Sequence, residues 1–171
     1  AGTFTGTRDM SGNHVWRGIP YAEAPTGDRR WKAPLTAAPL PTAFTAIEPG
    51  TACPQFASRF GGESGPSKEL RGKEDCLTLD VYAPSDLVPG ANLPVMVWIH
   101  GGGNSIGNSS FYQGAELVRR GRVVVVAIQY RMGPLGFLRH ASLREDSGPV
   151  EGSGNFAILD MIESLRWVQT N

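Results

Sequence analysis

The sequence is poor in cysteine, in excess charge and in long apolar runs. It has two cysteines in 171 residues, and its sixteen basic residues balance sixteen acidic ones. A net charge of zero gives no electrostatic reason to expect nucleic acid or an anionic membrane as a partner. The longest apolar run, 123–128, has the length of a strand and falls far short of the roughly 20 residues of a membrane-spanning helix.

The sequence also lacks a pattern of metal ligands. The histidines His14, His100 and His140 are scattered, and the two cysteines have no ligand spacing, so we expect neither a metal nor a cofactor. Cys53 and Cys76 leave two interpretations open. They are either free thiols, or a disulfide that closes a loop and indicates an oxidising compartment, secreted or periplasmic.

Glycine and proline are abundant, with 22 and 13 residues. Because most of them lie in the first two thirds of the chain, residues 1–74 are predicted to be loop-rich, with short strands of a small sheet at 3–7 and 14–16. More regular structure is predicted from residue 75 onward. Two apolar runs there, 95–99 and 123–130, are typical of strands buried on both faces.

Three further segments complete the pattern. Residues 76–82 alternate apolar and polar, which predicts a half-buried strand. Residues 114–121 predict a short helix closed by glycine, and 155–170 predict a longer helix with Asn155 as its N-cap. The apolar positions of the longer helix have the spacing of a core-facing stripe. They are Ile158, Met161, Ile162, Leu165 and Val168.

Buried strands separated by helices predict an α/β fold with a mixed or mainly parallel sheet. Two such strands need helices on both faces and further strands beside them, and only two helices are visible. We therefore expect residues 1–171 to be the N-terminal portion of one larger domain. A domain complete in 171 residues is the alternative.

A glycine run, His100-Gly101-Gly102-Gly103, follows the first of the buried strands. Consecutive glycines let several backbone N–H groups point into one space. Such a nest can stabilise the oxyanion that forms when a nucleophile attacks an ester carbonyl, and α/β-class ester hydrolases use a loop of this type. An ordinary glycine-rich turn is the alternative.

Four other segments accompany this run. They are GIPYAEAP with RWKAP (18–34), EDCLTLDV (74–81), YRMGPLGF (130–137) and GN, LD and LRWV within 154–168. Together the five segments resemble the type-B carboxylesterase and cholinesterase family over nearly the whole chain, whereas relatives of hormone-sensitive lipase share the glycine run but lack the other four. The resemblance implies an α/β-hydrolase fold, of which this chain is the N-terminal part, with a small N-terminal sheet and the first strands of the central mixed sheet.

The resemblance assigns roles to individual residues of the glycine run. Gly102 and Gly103 match the glycines whose N–H groups form the oxyanion hole. His100 matches a position that shapes this loop. These assignments imply that the run takes part in the chemistry but contributes no side chain to it.

The resemblance also assigns structural pairs. Cys53 and Cys76 match the family's first disulfide, and Arg30 and Glu74 match an ion pair that helps to hold the disulfide loop. The choline-binding members of the family carry a tryptophan inside that loop, whereas residues 54–75 contain none. This departure favours a carboxylesterase of broad specificity over a choline ester specialist.

The serine nucleophile is expected outside residues 1–171. In this class the order along the chain is Ser, then Asp or Glu, then His, and the family's serine follows the helix predicted at 155–170. Ser105 fits a G-x-S-x-G pattern, but it lies past the end of a strand and not on a strand-to-helix elbow. Ser64 has Pro66 where the pattern needs glycine.

No histidine in the chain is expected to act as the catalytic base. His14 and His100 precede any plausible nucleophile, and His140 falls in a polar loop. The expected acid, base and nucleophile therefore lie on downstream sequence or on a complementary C-terminal chain.

The predicted function is hydrolysis of small-molecule carboxylic esters through a serine acyl-enzyme, with this chain supplying the oxyanion-hole loop. Two alternatives are open. One is a cholinesterase-like binding or adhesion protein that has lost catalysis. The other is an inactive truncated fragment, for which exposed strand edges are expected.

Overall fold

The computed structural model describes residues 2–40, 42–145 and 147–171. Within them no helix is both long enough and apolar enough to cross a membrane. The strands are β1 (Phe4–Thr5), β2 (Thr7–Arg8), β3 (His14–Pro20), β4 (Phe44–Thr45), β5 (Gln55–Phe56), β6 (Leu70–Arg71), β7 (Thr78–Ala83), β8 (Val95–Ile99) and β9 (Val124–Ile128). The α-helices are α1 (Ala115–Gly121), α2 (Gly133–Gly136) and α3 (Phe156–Thr170).

Five strands form a mixed central sheet in the order β2-β3-β7-β9-β8. β8 and β9 run parallel, and the other neighbours are antiparallel. The strand predicted from 14–16 extends to seven residues and joins this central sheet. In the loop-rich part, β1 pairs with β4 and β5 pairs with β6 as two-stranded sheets.

β9 is buried on both faces, as predicted. Val126 and Ile128 belong to the larger core cluster, which includes Ala157 of α3. The alternate residue Val125 packs with Val118 of α1 in a second cluster. Because successive strand residues point to opposite faces, one helix covers each side of β9.

β8 departs from its prediction of burial on both faces. It is the last strand of the sheet and pairs only with β9. Val95, Met96, Trp98 and Ile99 are between 42% and 48% exposed, so the expected core position of Trp98 is wrong as well. The reason is topological: β8 is an edge strand, and α1 packs mainly on β7 and β9.

The buried face of α3 matches the predicted stripe only in part. Met161 and Val168 pack against the core cluster, whereas Ile158, Ile162 and Leu165 are exposed. The fully buried residues are Phe156, Ala157, Asp160, Glu163 and Ser164. Polar contacts turn this face inward. Asp160 accepts two hydrogen bonds from the Arg131 guanidinium, and Glu163 accepts one from the Thr36 hydroxyl. Asn155 occupies the N-cap position, but its side chain makes no capping hydrogen bond.

Candidate functional site

The glycine loop, defined here as residues 100–107, leaves the end of β8 through a tight turn. Gly102, Gly103 and Asn104 have positive φ angles of 123°, 62° and 58°. The Gly102 carbonyl accepts hydrogen bonds from the N–H groups of Ser105 and Ile106, both at 3.2 Å. A side chain at position 102 would overlap the Ile106 carbonyl oxygen, so this turn requires glycine.

The N–H groups of Gly102 and Gly103 donate to no acceptor among the described residues. Both residues are exposed. Adjacent backbone donors that the fold leaves unused and accessible are the groups that can bind a developing oxyanion.

His100 anchors the first residue of the loop. Its ring stacks on Tyr130 with 4.4 Å between the centroids, and the Tyr130 hydroxyl donates to the His100 carbonyl at 2.6 Å. Burial lowers the pKa of His100, which keeps the imidazole neutral at neutral pH. Its Nδ1 lies 3.1 Å from the Gly101 carbonyl oxygen. These contacts fit a role for His100 in shaping the loop.

The segment after β9 reaches the same loop. The Gly133 N–H, at the start of α2, donates to the Asn104 carbonyl at 2.6 Å. Two of the five segments that carry the family resemblance are therefore in direct contact: the glycine run and the turn at 130–137.

The end of the glycine loop is held by Gln55, which sequence reasoning did not identify. The Gly107 N–H donates to Gln55 Oε1 at 2.8 Å, and Gln55 Nε2 donates to the Gly107 carbonyl at 2.7 Å. Both residues are buried. The available signal was a polar residue two positions after Cys53, inside the loop that the cysteines close.

A second buried network continues from the loop. Asn108 Nδ2 donates to Glu63 at 2.6 Å, and Gln129 Nε2 donates to Asn108 Oδ1 at 2.9 Å. The Ser109 N–H donates to Gln129 Oε1 at 3.2 Å. Gln129 was detectable in the sequence, because it is the polar residue in the apolar run 123–130.

The disulfide predicted from the resemblance is formed between Cys53 and Cys76, with a Cα–Cα distance of 5.1 Å. Arg30 pairs with Glu74 through two hydrogen bonds of 2.7 and 2.6 Å, two residues before Cys76. The hydrogen bonds to Glu74 raise the pKa of Arg30. The pair thus lies at the end of the disulfide loop, defined as residues 53–76.

The other residues considered from sequence lie apart from such networks. The Ser105 hydroxyl donates to the Gly103 carbonyl at 3.2 Å. His14 stacks on Trp16, and His140 accepts the Ser142 N–H at 3.3 Å. In the described part of the chain, no serine hydroxyl forms a hydrogen bond with a histidine ring.

A comparison with protein families assigns the chain as a whole. The Carboxylesterase family model matches residues 1–171. The chain belongs to the carboxylesterase family. The resemblance inferred from the five segments is therefore confirmed at the level of the family.

Named carboxylesterases resemble this chain along nearly all of its length. It is 41% identical over 173 residues to para-nitrobenzyl esterase of Bacillus subtilis, a match that covers 99% of this chain and 33% of the esterase. It is 38% identical over 162 residues to mouse carboxylesterase 3B, covering 92% of this chain and 27% of the mouse protein. The chain thus spans about a third of the length of these carboxylesterases.

Solved carboxylesterase structures share the fold. A thermophilic pNB esterase superposes with a TM-score of 0.83 at 39% identity, over 99% of this chain and 34% of its own. A Geobacillus stearothermophilus carboxylesterase gives 0.80 at 35% identity, over 98% and 33%. The α/β-hydrolase fold class is confirmed. These relatives are single chains, so the predicted complementary C-terminal chain finds no support.

Proposed function

We propose that residues 1–171 provide the oxyanion-hole loop of a carboxylic ester hydrolase that works through a serine acyl-enzyme. The observation that carries the proposal is that Gly102 and Gly103 are exposed and that their N–H groups have no acceptor among the described residues. Membership of the carboxylesterase family supports the same reaction class.

In this mechanism a serine oxygen attacks the ester carbonyl carbon while a histidine takes the hydroxyl proton. The carbonyl π electrons move onto oxygen, and the N–H groups of Gly102 and Gly103 stabilise the resulting oxyanion. The intermediate collapses with loss of the alcohol, which receives the proton from histidine. Water then repeats the sequence on the acyl-serine and releases the acid. Loss of one such donor lowers kcat by about 10²–10³-fold.

The nucleophile, acid and base of this reaction are assigned to sequence outside residues 1–171. The described residues offer no serine paired with a histidine, and burial keeps His100 neutral beneath the loop. Gly102 and Gly103 then act on a carbonyl that the rest of the protein presents to them.

The proposed substrates are small carboxylic esters of varied structure. Relatives named para-nitrobenzyl esterase, pyrethroid hydrolase and cocaine esterase match this chain at 41%, 36% and 37% identity. Because relatives with such different names match this chain at similar identity, residues 1–171 do not identify one particular ester as the substrate. The Cys53–Cys76 disulfide favours an oxidising compartment, secreted or periplasmic.

The test uses the full-length protein that contains these residues. Hydrolysis of para-nitrophenyl acetate is measured, and the protein is then treated with a serine-reactive organophosphonate, with heat-denatured protein as the control. We expect hydrolysis and a single adduct, located by peptide mapping on a serine outside residues 1–171. Neither hydrolysis nor an adduct would favour the binding or adhesion alternative. An adduct on Ser105 would show that the nucleophile is assigned wrongly.

A further inference from the structure

The side-chain amide of Gln55 links the disulfide loop to the end of the glycine loop by hydrogen bonds. Gln55 is 4% exposed, and its two polar atoms pair with the N–H and the carbonyl of Gly107 at 2.8 and 2.7 Å. Gln55 Nε2 also lies 3.3 Å from the Cys53 carbonyl oxygen. The amide therefore connects the backbone beside the disulfide to the backbone that ends the glycine loop.

Close packing leaves Gly107 little freedom of its own. Its φ is 147°, and a side chain there would overlap the His100 ring. On the other side, the backbone of the disulfide loop comes so near at Gly61 that a Cβ would lie 2.9 Å from the Ile106 Cβ. The end of the glycine loop is thus fixed between the His100 ring and the disulfide loop.

The position of Gly107 affects one of the proposed oxyanion donors through the neighbouring residue Ile106. Ile106 precedes Gly107, and its N–H donates to the Gly102 carbonyl. That carbonyl belongs to the same peptide unit as the Gly103 N–H, because a peptide bond joins the two in one plane. A shift at Gly107 therefore changes the direction of a donor that has no other fixed partner among the described residues.

We infer that Gln55 is a positioning residue for the oxyanion hole, through which the disulfide loop sets the direction of the Gly103 N–H group. The inference rests on the proposed function of Gly102 and Gly103. It requires both halves of the amide, since Oε1 accepts from Gly107 and Nε2 donates to it. Preorganised donors act on the transition state more than on the bound ester, so Gln55 is expected to affect kcat more than KM.

Two substitutions in the full-length protein test the inference. Gln55→Leu removes both hydrogen bonds to Gly107 at similar volume, and Gln55→Glu keeps the acceptor but loses the donor. We expect kcat for para-nitrophenyl acetate to fall about 10–100-fold in Gln55→Leu and by at least as large a factor in Gln55→Glu, because a carboxylate oxygen would then face the Gly107 carbonyl oxygen. KM should stay within about threefold of the wild type in both variants. Gln169→Leu, at an exposed position of α3, is the matched control and should leave kcat unchanged.

Hydrogen–deuterium exchange supplies a readout that does not depend on catalysis. We expect the peptide covering 101–109 to exchange faster in Gln55→Leu than in the wild type and in Gln169→Leu. A folded Gln55→Leu variant with wild-type kcat overturns the inference. If Gln55→Leu does not fold, wild-type kcat in Gln55→Glu overturns it equally.

The result for wild-type protein separates this inference from the proposed function. If the wild type does not hydrolyse the ester, the proposed function fails, and exchange alone decides about Gln55. Faster exchange at 101–109 then supports its hold on the loop, and unchanged exchange overturns it.

Discussion

The front and the rear of the glycine loop are only a few residues apart but are built in opposite ways. At the front, residues 101–105 are exposed, and two of their N–H groups have no partner among the described residues. The rear, defined as residues 107–109, comprises the last residue of the loop and the two that follow it. These residues are buried, and the side-chain amides of Gln55 and Gln129 form hydrogen bonds with their backbone.

Glycine therefore serves two purposes in one loop. A Cβ on Gly103 would meet no described atom within 4 Å, whereas a Cβ on Gly107 would strike the His100 ring. The front glycine keeps a donor accessible, and the rear glycine lets the backbone pack closely. Because the rear is held by hydrogen bonds and close packing, the front can keep its N–H groups free without the loop folding over to satisfy them. Donors arranged in advance in this way can stabilise an oxyanion.

The largest effect is expected from Gly102→Ala. Position 102 has a φ of 123°, and a methyl group there would overlap the Ile106 carbonyl oxygen. The turn must open, which displaces the proposed donors, so kcat for ester hydrolysis should fall by about 10³-fold. The assay is steady-state hydrolysis of para-nitrophenyl acetate by the full-length protein.

Gly90→Ala is the matched control for Gly102→Ala. Gly90 also has a positive φ, 79°, but a Cβ there meets nothing within 4 Å. It bears a similar backbone strain far from the loop, so its kcat should stay within about twofold of the wild type. Equal loss of activity in both variants would show that the effect at Gly102 is general destabilisation.

The next effect concerns the support of the rear. The double substitution of Cys53 and Cys76 by serine removes a cross-link between residues 23 positions apart. The free energy of unfolding should fall by about 3 kcal/mol, because the unfolded chain regains loop entropy. Urea unfolding measures this change. If the exchange rate at 107–109 does not rise in the same variant, the disulfide loop does not support the rear.

A smaller, pH-dependent effect is expected from His100. Burial lowers the pKa of its imidazole in the folded protein, so the folded state binds fewer protons than the unfolded state just below pH 6.5. Its contribution to stability is fully present above that pH and is lost as the pH falls. The free energy of unfolding should therefore decrease less between pH 7.5 and pH 5.5 in His100→Gln than in the wild type, as measured by urea unfolding at both pH values.

Asp80 opposes His100 in the same pH range, which is why the comparison needs the variant. Burial raises the pKa of Asp80 to about 6, although its carboxylate accepts a hydrogen bond from the Gly18 N–H at 2.9 Å. Ionised Asp80 thus costs stability as the pH rises above about 4. Asp80 is present in both the wild type and His100→Gln, so its contribution cancels when one profile of unfolding free energy against pH is subtracted from the other. An identical slope in wild type and His100→Gln would contradict the assignment to His100.

The strands show what hydrophobic patterning predicts and where it stops. β8 and β9 have nearly the same apolar character in sequence, and both are strands of one sheet. β9 is buried, but β8 is not, since a pattern states how much apolar surface a strand carries and not which element covers it. The same holds for α3. Asp160 is buried in its ion pair with Arg131, whereas the isoleucines of the helix are exposed.

The candidate site divides in a similar way. The glycine run could be predicted, because backbone angles of positive φ favour glycine. The disulfide was implied by the family resemblance, whereas the two cysteines alone left free thiols open as well. Gln55 and Asn108 could not, since a buried amide has the same sequence letter as an exposed one. Their roles depend on partners far away in the chain: the backbone of Gly107, 52 residues from Gln55, and the side chain of Gln129, 21 residues from Asn108.

The smallest effect is expected at the front, from Ser105→Ala. Ser105 is exposed, and its hydroxyl donates to the Gly103 carbonyl at 3.2 Å and to no other group in the described part of the chain. Its removal should therefore change kcat/KM by less than about threefold. Ser110→Ala is the counterpart just beyond the rear, where the hydroxyl of the partly buried Ser110 donates to Oδ1 of the buried Asn108 at 2.8 Å. Its removal should cost about 1 kcal/mol in unfolding free energy. The two serines thus separate accessibility from support. If Ser105→Ala abolishes hydrolysis, Ser105 is the nucleophile. The front of the loop then supplies a reacting side chain, and its function is not limited to presenting backbone N–H groups.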